Sequence, residues 1–318
     1  MPSSSLPEPA PDIVALAEQR AAARKDRDFA AADRLREQIA EAGWVVADVP
    51  DGFTLSPRPP YDVLSSVADL PDNSGVADSR RATVSVIVEG WPDDVATCLD
   101  ALLSHTPDDV VVQVLDVGDV DGAGAVVHER SGPRLAAWHV GGAASWASAR
   151  TALLRADTAS VHVWCDVSTV LTGDAVTPLV DAVVADDDVA GAGWRGANVD
   201  VADEWRSVVD AGPGEVDVLL GYLFAMRRSS ALSAGGPHPK ARFYRNADLE
   251  FSFALREAAR AEGKAGRLVV PLADLPARQD RHHGYHDTDP AYRERESART
   301  YNRFLQRFRG RTDLLSPR

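Results

Sequence analysis

The stretch TVSVIVEGWPDDVATCLDALLSHTPDDVVVQVLDVG, residues 83–118, decides the fold. It opens on an apolar run rich in Val and Ile, passes through a segment with apolar residues at helical spacing, and closes on a second apolar β-branched run. A strand, a helix and a strand of these lengths predict two parallel strands joined by a crossover helix. The alternation continues downstream. RLAAWHV (134–140) reads as a third strand, ASWASARTALLRAD (144–157) as a helix, ASVHVWCDVS (159–168) as a strand and GDAVTPLVDAVVAD (173–186) as a helix. Strands buried on both faces read as continuous apolar runs, so the pattern predicts an α/β fold with a mostly parallel sheet flanked by helices. Ligands of such sheets sit outside the carboxyl ends of the strands. Glu89, Asp116 and Asp166 all fall at those ends.

Around this core the chain divides by composition. Residues 1–11 are Ser/Pro-rich and read as a disordered tail. Residues 12–57 read as a helical hairpin, turning at KDRD and stopped at Gly43, followed by a short β-hairpin with Asp51-Gly52 at its turn. Residues 58–81 read as a linker, 82–305 as the main domain and 306–318 as a C-terminal tail. The formal net charge is −14, which speaks against a general DNA, RNA or anionic-membrane binder because phosphate contacts need a basic face. The two cysteines, Cys98 and Cys165, have no metal spacing and read as buried free thiols of a reducing compartment. No window reaches the apolar length of a membrane span, and MPSSSLPEPAPD lacks the charge and apolar core of a signal peptide. A soluble cytoplasmic protein is expected.

FYRNADLEFSFALREAA (243–259) is ambiguous in form. Leu249, Phe251, Phe253 and Leu255 alternate as in a strand, while Phe251, Leu255, Ala258 and Ala259 share a helix face. The following run of helix formers, ending at Gly263 and Gly266, decides for a helix capped near Asn246. Asp248 and Glu250 then lie in its first turn. Acids gain about 0.3–1 kcal/mol there from the helix dipole, but that gain does not account for Phe243-Tyr244-Arg245 before them.

The order of these segments resembles family 2 glycosyltransferases. The matching pieces are VSVIVEG…CLDALL…VLDVGDVDG (84–122), GGAASWASARTALLRADTASVHVWCDVSTVLTGDAV (141–176) and DVLLGYLFAMRRSSALSAGG…FYRNADLEFSFALREAA (217–259). The resemblance covers about residues 82–305 and implies a GT-A fold, Rossmann-like, with a nucleotide-sugar donor and a divalent metal, Mn²⁺ or Mg²⁺. It implies donor contacts from Glu89, Asp116, Asp166, Arg150 and Ser168. Carboxylates suit this task because they accept from a base N–H or ribose hydroxyls. Asp166 matches the first acid of an Asp-x-Asp metal motif, and Ser168 stands where the second would be. One Asp, a diphosphate and a His could complete a shell for a hard cation. DRHHGYHDTD (280–289) offers His282, His283 and His286 without choosing among them.

Asp248 matches the family's catalytic acid and is expected to take the acceptor's proton in an inverting single displacement. Ala247 replaces the preceding Glu, and Glu250 and Arg228 are expected to support the site or touch the acceptor. The acceptor class (glycan, lipid or protein) is open. The departures at Ser168 and Ala247 keep a catalytically inactive binding protein of the same fold as the alternative. A dinucleotide oxidoreductase is disfavoured because GAGAVV (122–127) lacks the third Gly.

The segment LAEQRAAARKDRDFAAADRLREQIAEAGWVVADVPDGF (16–53) is similar to the C-terminal region of cysteinyl-tRNA synthetases. The chain has no HIGH-like or KMSKS-like motif, so aminoacylation is excluded. Its mixed charges are a poor footprint for RNA, which favours a docking or dimerising hairpin over an RNA-binding role.

Overall fold

The computed structural model describes residues 8–118 and 120–317 of the chain. It separates into two compact units, 1–62 and 63–318. Of the expected disordered tail 1–11, residues 1–7 lie outside the described residues, and a helix already starts at Pro11.

The smaller unit contains α1 (Pro11–Lys25), α2 (Phe29–Glu41) and a hairpin of β1 (Trp44–Val49) and β2 (Gly52–Pro57). Asp28 caps α2 by accepting the Ala31 amide at 3.0 Å. Val49 pairs with Gly52, so the turn residues are Pro50 and Asp51, one position before the expected pair. Ile13, Ala17, Ile39 and Val46 form a small core, edged by a bidentate pair from buried Arg20 to Asp48 at 2.7 and 3.1 Å.

The larger unit starts with β3 (Val63–Leu64), β4 (Arg80–Val88), α3 (Pro92–His105), β5 (Val110–Val117), α4 (Ala123–Glu129), β6 (Leu135–Val140), α5 (Trp146–Ala156) and β7 (Ala159–Cys165). It continues through β8 (Thr169–Leu171), α6 (Val176–Val184), β9 (Val189–Gly193), β10 (Gly196–Val199), β11 (Val208–Ala211), β12 (Gly214–Glu215), β13 (Val218–Leu219) and β14 (Leu223–Arg227). It ends with α7 (Arg228–Ser233), α8 (Ala247–Ala261), β15 (Arg267–Val270), β16 (Ala277–Gln279), α9 (His283–His286) and α10 (Pro290–Phe308). The central sheet has the order β12-β15-β9-β14-β7-β4-β5-β6-β3. Strands β7, β4, β5, β6 and β3 are parallel, as the apolar runs predict. The antiparallel strand β14 enters between β7 and β9.

Helices cover both faces. Val84, Val86 and Val88 of β4 point to one side and pack with Leu99 and Leu102 of α3 and Leu179 and Val183 of α6. Trp164 of β7 faces the other side, with Leu153 of α5 and Phe251 and Leu255 of α8. Trp164 stacks on Phe251 with ring centroids 4.7 Å apart. Each such side chain contributes about 1.5–3 kcal/mol by leaving water. A third cluster joins α8 to α10 through Phe253, Phe304 and Phe308.

Two expected boundaries are corrected. The region 58–81 is not a free linker, because β3 pairs with β6, and Asn73 binds the carbonyls of Arg155 and Ala156 at 2.7 and 2.8 Å. The region 306–318 is not a free tail, because Phe308 and Leu314 are buried and Ser316 donates to Asp217 at 2.6 Å.

Candidate active site

Parallel strands β4, β5 and β7 end on one edge of the sheet, and two adjoining cavities open there. The larger, about 620 Å³, lies over the end of β4. The smaller, about 190 Å³, lies toward the start of α8. Trp146, Arg150, Asp166, Tyr244 and His282 line both, so they form the wall between two chambers.

Asp166 follows β7. Its Oδ1 accepts from the Ser168 amide at 2.9 Å and the Ser168 hydroxyl at 2.5 Å. Its Oδ2 lies 3.1 Å from His282 Nε2. Burial disfavours the carboxylate, yet His282 and the Ser168 bonds outweigh it and hold the Asp166 carboxyl below its usual range. His282 shows the mirror effect. Burial works against its charge, but Asp166 prevails and raises its pKa. The ring's Nδ1 accepts the Tyr285 amide at 3.2 Å. Ser168, which stands where the motif would have its second acid, therefore orients Asp166 as a hydrogen-bond donor.

The structure selects among the three histidines. His282 reaches both cavities. His283 lines the larger one, but its Nδ1 is bound to Asp94 and its ring stacks on Trp91 at 6.4 Å. His286 is exposed at the end of α9 and does not line either cavity, so the structure does not bring it to Asp166. Among the described residues no three His, Cys, Asp or Glu side chains come together as a metal set. Asp166 and His282 do suit two places of one. Their 3.1 Å separation matches adjacent ligands of an octahedral ion, which stand about 3.0 Å apart when bonds are about 2.1 Å. His282 Nε2 is also buried without a well-angled hydrogen bond.

Arg150 is buried where α5 crosses β4 and β7. It donates to the carbonyls of Ser85 and Cys165 at 3.0 and 3.2 Å and lies near the rings of Trp146 and Trp164. Burial pushes its pKa down to about 10, against the pull of Asp166 and Glu89. Glu89 opens onto the larger cavity, and the protein mass around it raises its carboxyl in spite of Arg150.

Asp248 lines the smaller cavity from the first turn of α8. Its Oδ2 accepts the Gly221 amide at 3.0 Å and its Oδ1 the Leu249 amide at 2.9 Å. Burial outweighs these bonds and raises its carboxyl, which makes it a stronger base when ionised. The expected cap residue, Asn246, does stand before α8, but in the left-handed region at φ 66°. Its side chain donates to Ser297 O at 3.1 Å instead of capping.

Three expected residues lie elsewhere. Asp116 is wholly buried and paired with His139 Nδ1 at 3.0 Å, away from either cavity. Glu250 is 2% exposed and locked to Arg303 at 2.7 Å, on the α10 side of α8. Arg228 is buried and donates to Asn73 O at 2.5 Å and Asp78 Oδ1 at 3.2 Å, which ties down residues 73–78. Tyr244 and Arg245 were missed as site residues. Tyr244 stacks on His282 with centroids 4.6 Å apart, and the aromatic and basic run before α8 was the signal for both.

The family described as the cysteinyl-tRNA ligase anticodon binding domain matches residues 6–54. The cysteine–tRNA ligase of Opitutus terrae is 46% identical over 56 residues, 18% of this chain and 12% of that protein. That of Xanthomonas euvesicatoria is 55% identical over 40 residues, 13% of this chain and 8% of that protein. The chain thus spans about a tenth of these curated relatives. Among solved structures, a mannosyltransferase from Pyrobaculum calidifontis in complex with GDP-Man and Mn²⁺ is 19% identical with a TM-score of 0.50. The match covers 69% of this chain and 62% of that one. GalNAc-T7 with UDP, GalNAc and Mn²⁺ is 12% identical with a TM-score of 0.53, over 71% of this chain and 47% of that one. The likeness shows an α/β fold of the GT-A kind, joined to an N-terminal segment similar to the end of cysteine–tRNA ligases.

Proposed function

We propose that this protein is a glycosyltransferase that moves a sugar from a nucleotide-sugar donor to an acceptor hydroxyl. The observation that carries the reading is the pair of cavities divided by Asp166 and His282, with Asp248 in the smaller. Two chambers that share a wall can hold two substrates with their reacting atoms close together. The larger cavity is of a size for a nucleotide sugar, and structures of this fold hold GDP-Man or UDP with Mn²⁺.

In the inverting displacement, the acceptor oxygen bonds to the anomeric carbon as the bond from that carbon to the diphosphate oxygen breaks. The acceptor proton passes to Asp248, and the nucleoside diphosphate leaves with the bonding electrons. Asp248 is fit for this as a half-buried carboxylate that lines the cavity and whose orientation is fixed by two amides. A divalent cation, Mn²⁺ or Mg²⁺, held by Asp166 and His282 would neutralise charge developing on the diphosphate. Ligation through His282 Nε2 needs the ring proton on Nδ1, which gives up the Tyr285 amide contact. Arg150 lends positive charge to the shared wall, and Glu89 offers an acceptor for donor N–H or O–H groups.

No helix among the described residues is long and apolar enough to cross a membrane. The buried free thiols Cys98 and Cys165 fit a cytoplasmic setting. The N-terminal hairpin serves as a docking or dimerising module in this reading. A binding protein without turnover is the second reading, favoured by the lack of a third metal-capable side chain at Asp166 among the described residues. Thermal shift and calorimetry with UDP-, GDP- and dTDP-sugars, with and without Mn²⁺, followed by assay of nucleoside diphosphate release, separate the two. Donor binding with no release under any acceptor supports the second, and absence of binding rejects both.

A further inference from the structure

Most arginines of the larger unit are neutralised by carboxylates, as in Arg130–Asp100, Arg256–Glu215 and Arg303–Glu250. Two guanidinium groups around Tyr285, of which Arg245 lines the smaller cavity and Arg293 lines neither, are different. Arg245 lines that cavity, is exposed, and bonds Tyr285 Oη at 2.6 Å. Its guanidinium carbon lies 5.5 Å from the Tyr285 ring centre. Arg293 lies 4.0 Å from the same ring centre and donates to the Tyr285 carbonyl at 2.5 Å. Among the described residues neither arginine has a carboxylate at ion-pair distance. Two like charges thus share one aromatic ring without a counter-charge, in a chain of net charge −14.

That arrangement leaves positive charge and guanidinium N–H groups open to an anion. A guanidinium fork meets a carboxylate or phosphate through two parallel hydrogen bonds, and the Tyr285 hydroxyl, accepting from Arg245, keeps its own proton to donate. Deeper in the cavity Arg150 and His282 stand beside Asp166, which leaves Asp248 as the carboxylate with no cationic partner of its own at hydrogen-bond distance. A molecule with a hydroxyl at one end and an anionic group at the other is oriented by this polarity, hydroxyl toward Asp248 and anion toward Arg245. The cavity's 190 Å³ suits a small group of this kind.

We propose that the acceptor carries a carboxylate or phosphate, clamped by Arg245, Tyr285 and Arg293 while its hydroxyl meets Asp248. The inference deepens the glycosyl-transfer reading and rests on it for the word acceptor. The anion site itself is testable without a donor.

The test uses three probes that share a three-carbon skeleton: glycerol, glycerate and glycerol 1-phosphate. Binding to the full chain is measured by calorimetry without donor, and nucleoside diphosphate release is measured with any donor that binds. The expected result is that one or both anions bind at least tenfold tighter than glycerol and weaken with added NaCl. Glycerate and glycerol 1-phosphate distinguish a carboxylate from a phosphate. Arg245→Gln should weaken the anion at least tenfold while donor affinity and the melting temperature stay unchanged. Arg245→Lys should restore part of it, since charge returns without the fork. Arg293→Gln checks the second cation. Equal binding of glycerol and the anions, or anion binding indifferent to Arg245→Gln, overturns the inference and leaves donor transfer standing. Arg245-dependent anion binding in a chain that binds no nucleotide sugar keeps the anion site and rejects the transfer reading.

Discussion

Replacing Arg303 with Ala separates support from chemistry at the start of α8. Glu250 and Asp248 lie two residues apart, and either could be read as the acid of the site. Glu250 is 2% exposed, and both its oxygens are bound by Arg303, whose side chain is 18% exposed. Arg303→Ala strands a carboxylate in the interior, which costs about 3–5 kcal/mol in comparable pairs. For a unit of this size each kcal/mol lowers Tm by about 2–4 °C, so the variant should melt roughly 6–20 °C lower. Replacing both members, Glu250→Met with Arg303→Met, removes the stranded charge and should recover most of that loss, since apolar replacement of a buried pair is often neutral or stabilising. The assay is urea and thermal unfolding of the three variants, beside donor affinity and turnover. A loss under about 1 kcal/mol in Arg303→Ala refutes the buried-pair argument. A well-folded double variant with no turnover refutes the assignment of Glu250 to structure.

Asp248→Asn should lower kcat by about 10²–10⁴-fold and leave donor affinity intact, as measured by steady-state rates and calorimetry. The base must be ionised, and burial raises the Asp248 carboxyl. Activity should therefore fall as pH drops through a value above the ordinary Asp range of about 3.9, and this acidic limb of kcat/KM should vanish in Asp248→Asn. Asp166→Ala should weaken any stimulation of donor binding by Mn²⁺ at least tenfold in calorimetry, because one of two converging donors is gone. Gly266→Ala should cost at least about 1–2 kcal/mol in urea unfolding. Its φ is +68° and an added Cβ would stand 2.8 Å from the Arg256 carbonyl oxygen.

The parallel half of the sheet was legible because β4, β5 and β7 are buried on both faces and so have few polar residues to blur the pattern. The antiparallel insertion of β14 between β7 and β9 was not legible, since local sequence carries no mark of which distant strand will pair. The region 58–81 reads as a linker for the same reason. Its anchors, β6, Arg155 and Arg228, are remote in sequence. The site shows the same limit. Asp166 and Asp248 were found at a strand end and a helix start, where backbone geometry aims them at the cavities. Asp116 and Glu250 occupy similar local positions, and only the structure shows that His139 and Arg303 engage them away from the cavities. The choice of His282 among three neighbours depends on which ring the Tyr244 face receives, which no spacing encodes.

The most direct measurement is donor binding and turnover in three proteins side by side: wild type, Asp166→Ala and Asp248→Asn. The account predicts saturable binding of at least one nucleotide sugar with release of its nucleoside diphosphate in the wild type. Binding should weaken in Asp166→Ala, and in Asp248→Asn it should remain while release falls at least a hundredfold. A wild type that binds no nucleotide sugar, or an Asp248→Asn protein that turns over at the wild-type rate, contradicts it.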